Sequence, residues 1–221
     1  YAKKYNISLI DVKRKWEEKR VKGSEAGTIF HDIREQELID EINPKFYNKV
    51  CKKQTCSVEQ GVKWAHPIEK LQNDTVYPEL MIYDHESMVC GQSDKVIITN
   101  DTINVWDYKT DEEIKFEGYS NEWTKPAKYL PPVSHLEVAN GNMYSIKMSM
   151  YMYMLWKANK HLKIGDLILE KVTLKRDEEG IPILVNGKPI VLKIEQIKVP
   201  YRRVEMRDIF DFYKKGLLTK K

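Results

Sequence analysis

The sequence predicts an α/β (α+β) domain with a central mixed β-sheet flanked by helices, and three observations carry that expectation. Apolar residues at helical spacing occupy residues 9–42 and return in a Met- and Tyr-rich stretch from Met143. β-rich runs separated by short polar turns fill residues 79–108. Two further such runs near the C-terminus are joined across Asn186-Gly187, a pair suited to the positive φ of a tight hairpin. Helices, then a meander, a helix, a hairpin and a last helix make a layered domain with mixed strand directions.

The elements follow in order. Leu9, Ile10, Val12, Trp16 and Val21 fall near helical spacing with charges between them, which predicts a first helix. Ser24 to Gly27 breaks the pattern. A second helix is predicted from Thr28, near its N-cap, to about Ile42, with Ile29, Ile33 and Leu38 near one face and Asn43-Pro44 as its stop. Trp64, Ile68 and Leu71 suggest another helix, followed by a turn at Gln72-Asn73-Asp74. Glu79–Tyr83, Met88–Thr99 and Ile103–Tyr108 read as a three-strand meander, with turns at Asp84–Ser87 and Asn100–Thr102. Residues 117–142, with three prolines and two glycines, read as an extended, partly ordered loop. Tyr144, Met148, Tyr151 and Leu155 predict a helix from Met143 to about Lys160. Gly165–Lys175 and Ile190–Val199 read as strands and Met206–Lys215 as a closing helix. The expectation is one domain over 1–221, with N-terminal helices in 1–75, the central sheet and helix in 76–160, and a C-terminal hairpin and helix in 161–221.

A chain of 221 residues is long enough to bury a substantial core, and 42% hydrophobic with 32% charged residues is a folded composition. The net charge of +4 permits a nucleic-acid partner without demanding one. No apolar run reaches membrane-spanning length, and no secretory signal pattern stands at the start. Three cysteines, Cys51, Cys56 and Cys90, form no CxxC, which predicts reduced thiols in an intracellular, cytoplasmic protein. Three are too few for a four-cysteine iron–sulfur cluster.

The chemistry concentrates at Asp107-Tyr108-Lys109. Residues two apart on a strand point to one side, so Asp107 and Lys109 share a face. The same spacing recurs in Asp11/Lys13, Glu17/Lys19 and Glu113/Lys115, where surface ion pairing is the simpler reading. Two features set Asp107/Lys109 apart: it follows the apolar strand Ile103-Asn104-Val105-Trp106, and Asp94 lies as far from the Asn100-Asp101 turn on the other side. Asp94 and Asp107 are thus expected as cross-strand neighbours about 5 Å apart at Cβ. Two carboxylates so close repel unless a cation lies between them, and Mg²⁺ or Mn²⁺ suits such hard oxygen donors. A lysine alongside can orient or deprotonate a water and stabilise developing negative charge. The competing reading is a buried Asp94–Asp107–Lys109 salt bridge, which is costly to bury for stability alone.

Gly27-Thr28-Ile29-Phe30-His31, Glu79, Gly91-x-x-Asp94, Asp107-Tyr108-Lys109-Thr110 and Tyr144-x-x-Lys147-x-x-x-Tyr151 follow one another in an order that resembles the motif series of RecB-like exonucleases, a branch of the PD-(D/E)XK nuclease superfamily. The resemblance covers roughly residues 23–155 and is nearest to the cluster-free phage exonucleases and mitochondrial genome maintenance exonucleases, a likeness to which Pro132-Val133-Ser134-His135-Leu136 contributes. It implies a restriction-endonuclease-like core and a metal-dependent DNA exonuclease without an iron–sulfur cluster. It further implies His31, Asp94, Asp107 and the Tyr108 backbone carbonyl as ligands of Mg²⁺ or Mn²⁺, and Lys109 as the catalytic lysine. Glu79 is implied as a supporting acid in the catalytic group, with Glu86 as its rival; Glu35 either orients His31 or is helix surface. Tyr144, Lys147 and Tyr151 share one helical face toward the substrate. Lys147 departs from the glutamine usual there, which offers an ammonium to a phosphate instead of an amide; Met148 and Met152 are expected in the core.

The implied substrate is single-stranded or end-exposed DNA. Tyr119, Trp123, Tyr129, Lys125 and Lys128 in the long loop either cover or thread such a strand, or Trp123 anchors the loop on the core. The alternatives are a structure-specific endonuclease of the same superfamily and a catalytically silent nucleic-acid-binding module; action on RNA is a third.

Overall fold

The computed structural model describes residues 8–40, 50–51, 56–59, 62–65 and 70–218, with side chains over 8–40 and 70–216. In chain order the elements are helix α1 (Leu9–Asp40), strands β1 (Val50–Cys51), β2 (Cys56–Glu59), β3 (Val62–Ala65), β4 (Thr75–Asp84), β5 (Val89–Thr99) and β6 (Thr102–Lys109), helix α2 (Asn140–Ala158), strands β7 (Lys163–Leu174), β8 (Leu184–Val185), β9 (Lys188–Pro189) and β10 (Val191–Val199), and helix α3 (Arg203–Leu218).

Six strands form one mixed sheet in the order β1-β4-β5-β6-β7-β10. β4, β5 and β6 are the antiparallel meander. Helix α2 carries the chain back so that β7 runs parallel to β6, and β10 returns antiparallel to β7. The β5–β6 turn has only two residues, Asn100 and Asp101, at φ 48° and 56°. Short polar side chains tolerate that left-handed backbone, and the twist of such a turn fixes the register of both strands. Asn186-Gly187 turns the small β8–β9 hairpin within the 175–190 connection, not the β7–β10 pair itself.

Helices cover both faces. On one, Met148, Tyr151, Met152 and Leu155 of α2 and Met206, Ile209 and Phe210 of α3 pack against Leu80, Val96, Ile98, Ile103, Val105, Leu167 and Leu169. On the other, Ala26 and Phe30 of α1 meet Tyr108, Val172 and Leu174. Period-two alternation of the strands thus feeds two cores.

The first two predicted helices are one. α1 runs unbroken through Ser24–Gly27, so Thr28 is not an N-cap; its hydroxyl donates to the Ser24 carbonyl at 3.1 Å. A helical glycine costs about 1 kcal/mol, and burial of Ala26 and Phe30 outweighs that. Gly27 has a contact function: a Cβ there would stand 3.2 Å from Thr110 Oγ1. The expected stop at Asn43-Pro44, and Ile42, lie outside the described residues, as does Ile68. Trp64 belongs to strand β3, paired with β2, and Leu71 is buried in the irregular lead into β4, so neither of these two lies in a helix. Among the described residues, no helix is long and apolar enough to cross a membrane. Cys90 is a free, exposed thiol.

Candidate metal centre

The strand registers bring three acids abreast. Pro78↔Lys95 and Leu80↔Ser93 bracket Glu79 and Asp94, and the β5–β6 ladder runs from Thr99↔Thr102 to Lys95↔Trp106. One residue further along, Asp94 stands opposite Asp107 and the ladder ceases. Side chains satisfy the backbone where it does: Asp94 Oδ2 accepts from Tyr108 N–H at 2.6 Å, and Ser93 Oγ donates to the Trp106 carbonyl at 3.3 Å. The site sits where two strands part.

His31 enters from α1. It lies one turn beyond Gly27, and Phe30 beside it is fixed edge-on against the Tyr108 ring at 5.9 Å between centroids. His31 Nδ1 comes to 3.4 Å from Asp94 Oδ2. Glu79 reaches the same point from β4 with φ at +47°, a left-handed conformation that costs a non-glycine residue on the order of 1–3 kcal/mol. Gln92 Nε2 donates to the Glu79 carboxylate at 2.8 Å and holds it. One ligand atom from each of His31, Glu79 and Asp94 lies within 4.8 Å of the others.

Asp107 adjoins this trio at 0% exposure, between two ammonium groups. Lys109 Nζ pairs with its Oδ2, and Lys147 Nζ lies 3.4 Å from its Oδ1. Lys109 also donates to the Tyr108 carbonyl at 2.8 Å and stands 5.0 Å over the Tyr144 ring. Tyr144 O–H donates to Asp111. Lys147 sits 5.6 Å from the Tyr151 ring centre, and Tyr151 in turn fills the space over Gly91, where a Cβ would come within 2.4 Å of the ring. Gly91-x-x-Asp94 thus has a steric reason: the glycine admits the tyrosine that backs Lys147.

Charge and burial act together. Burial works against a charged His31, but the Asp94 carboxylate outweighs it and raises the imidazole above its ordinary value. Burial likewise opposes ionised Asp94, yet His31, Lys109 and the Tyr108 N–H hold it low. Glu79 is pushed up to about 7, first by burial and then by the charge of Asp94, with Glu35 and Asp107 adding to it. Burial and Asp94 together raise Asp107. On the reverse face, buried Lys95 packs 4.1 Å from the Trp106 ring centre and 3.9 Å from Glu170; burial brings it down to about 8.

The sequence-predicted residues divide clearly. His31 and Asp94 converge with Glu79, whose carboxylate brings a ligand atom to the same point. Asp107 and the Tyr108 carbonyl face Lys109. Tyr144, Lys147 and Tyr151 do share one helical face beside Asp107. Glu86 is remote, paired with Lys157 at 2.8 Å and Lys214 at 2.5 Å. Asp111 and Gln92 were not singled out from the sequence, although Asp107-x-Lys109-x-Asp111 continues the alternation that marks the first two.

One imidazole and two carboxylates, with a third carboxylate alongside, form a donor set of the kind that binds Mg²⁺ or Mn²⁺. Burial first, and then crowded negative charge, raise Glu79 and Asp107, and a divalent cation would relieve the charge part. The residues fit such an ion. No family model, curated protein or solved structure matches this chain.

Proposed function

We propose that this protein is a metal-dependent DNA nuclease of the PD-(D/E)XK type, in its RecB-like branch, acting as an exonuclease on single-stranded or end-exposed DNA in the cytoplasm. The observation that supports this reading is the convergence of His31, Glu79 and Asp94 from one helix and two strands, beside buried Asp107 and its Lys109. The helix–sheet–helix layering suits the restriction-endonuclease-like core that the motif order implies.

His31, Glu79 and Asp94 would hold the ion, with Asp107 at its flank. Bound there, Mg²⁺ or Mn²⁺ supplies Lewis-acid polarisation of a phosphoryl oxygen and a water of lowered pKa. The protein's own groups do the rest. Asp107 and the Tyr108 carbonyl hold the Lys109 ammonium at the edge of the carboxylate row. From there it can orient the attacking water and stabilise charge on the oxygens of the pentacoordinate transition state. The Tyr144 ring, fixed through Asp111, keeps that ammonium in place. Lys147 is 41% exposed at its side chain, so its ammonium can meet an incoming phosphate while remaining near Asp107.

The test is a time course on single-stranded DNA labelled separately at each end, with Mg²⁺, Mn²⁺ or EDTA. Metal-dependent release of short products from one label supports an exonuclease and gives its direction. Internal cuts support the endonuclease alternative, and absence of cleavage with either metal supports the silent module.

A further inference from the structure

We infer that residues 117–138 form a rigid arm that stacks a nucleobase on Trp123, so that the strand is gripped through its bases as well as its phosphates. The inference rests on the nuclease reading for the identity of the ligand as a nucleic acid. The arm itself is read from its construction.

The chain leaves the sheet at Lys109, passes Asp111 into the arm and rejoins the fold at Asn140, about one turn before Tyr144 and two before Lys147. Both of its feet therefore stand at the candidate site. They are stitched to the first turn of α2. Gly141 N–H donates to the Lys115 carbonyl at 2.8 Å, Lys115 N–H to Asn140 Oδ1 at 2.8 Å, and Asn140 Nδ2 to the Glu113 carbonyl at 2.7 Å. Asn142 Nδ2 reaches the Phe116 and Glu137 carbonyls at 2.7 and 2.9 Å.

Its two legs also bind each other. Gly118 N–H donates to Glu137 Oε2 at 2.8 Å and Val138 N–H to the Ala127 carbonyl at 2.7 Å. The legs lie so close that a Cβ on Gly118 would stand 2.8 Å from that of Pro126. The tip is ordered in turn: Asn121 Oδ1 accepts from Trp123 N–H, Thr124 N–H and the Thr124 hydroxyl at 2.9, 2.8 and 2.7 Å.

The arm has its own apolar fastenings: Val133 is buried in the α2-side core, and Phe116, Tyr129 and Leu136 pack against it. Trp123 is not among them. It is 89% exposed, with Tyr119 at 78% on the other side of the Asn121 turn. Trp123 therefore does not anchor the loop on the core. An ordered turn holds out an indole that does no packing, and flat, exposed aromatic rings on an arm rooted at the candidate site match the faces of unpaired bases. Exposed Glu117 and Glu122 balance exposed Lys125 and Lys128 around it, so attraction to phosphate is not what the tip offers. Stacking is left as its contribution.

The test separates base from phosphate. Fluorescence anisotropy would follow binding of a labelled oligothymidylate, and of an abasic strand of the same length, to the full chain in EDTA, where the proposed cleavage does not proceed. Wild type should prefer the base-bearing strand by about tenfold, the usual scale for one stacked base. Trp123→Ala should lose most of that preference while binding the abasic strand as before, and Trp123→Phe should keep part of it. Because counterions are not involved, the wild-type to Trp123→Ala ratio should hold as salt is raised. Equal affinity of wild type for both strands, no binding of either, or unchanged oligothymidylate affinity in Trp123→Ala would overturn the inference. The same samples with Mn²⁺ report cleavage separately. Intact stacking without cleavage would refute the nuclease reading and leave the arm's role standing.

Discussion

Replacing Glu79 by Gln removes a carboxyl that the site raises well above its ordinary value. Burial and the neighbouring Asp94 charge move it from its ordinary 4.5 to about 7. At ~1.36 kcal/mol per pH unit that displacement is worth roughly 3 kcal/mol. Glu79 is only partly buried, and solvent screening reduces the figure to about 1–2 kcal/mol. Its folded value lies above the unfolded one, so its contribution is fully favourable below about 4.5 and is lost as pH rises through about 7. Without divalent metal at pH above 7, Glu79→Gln should therefore unfold later than wild type, by about 2–4 °C per kcal/mol for a chain of this size. Under acid conditions near the unfolded value the two should converge. Adding Mn²⁺ should reverse the order, since wild type gains ion-binding free energy that the variant largely lacks. The strained φ at position 79 is common to both side chains and cancels in the comparison. Differential scanning fluorimetry over a pH series, with and without Mn²⁺, measures all of this. A variant less stable than wild type by the same amount at every pH would refute the reasoning, because repulsion would then not govern Glu79.

Lys109→Ala should leave the fold intact by circular dichroism and lower cleavage by about a hundredfold or more, the scale of a lost acid–base or charge-stabilising group; full activity would sink the assignment. His31→Ala should weaken Mn²⁺ affinity measured by calorimetry, and unchanged affinity would remove His31 from the ion's surroundings. Gly91→Ala should cost about 1–3 kcal/mol, because the new methyl would lie 2.4 Å from the Tyr151 ring. Gly91→Ala combined with Tyr151→Ala should recover part of that loss in a thermal melt, whereas simple additivity of the two would show that they do not share the space.

Much of the fold was legible because local chemistry and long-range pairing agree. Asn100-Asp101 marks a two-residue turn, and once the turn is placed the period of two carries Asp94 opposite Asp107. The helix from Asn140 to Ala158 shows in the spacing of Tyr144, Met148, Tyr151 and Leu155. Where reading failed, tertiary contact overrode a local signal. Ser24–Gly27 is a plausible break by propensity, and only the sheet beneath Ala26 and Phe30 reveals that the helix continues. Trp64 fits a helical spacing with Leu71, but strand pairing decides its backbone. The site was partly legible through motif order. Asp111 and Gln92 were not, since each acts by touching one distant side chain: Asp111 on Tyr144, Gln92 on Glu79. Nor does a sequence reveal that Trp123 would project into solvent while Tyr129 turns inward.

β10 ends the sheet, and among the described residues no strand pairs with its outer side. Val191, Leu192 and Ile194 are exposed there as well, so apolar side chains border a row of open backbone donors and acceptors. Such a border invites another strand of the same kind. Lys193 and Lys198 lie within the run, paired with Glu195 at 2.8 Å and Asp166 at 2.6 Å, and the cost of desolvating these charges opposes stacking of chains. An added charge at Ile194, on the apolar part of that border, should accordingly keep concentrated protein dispersed.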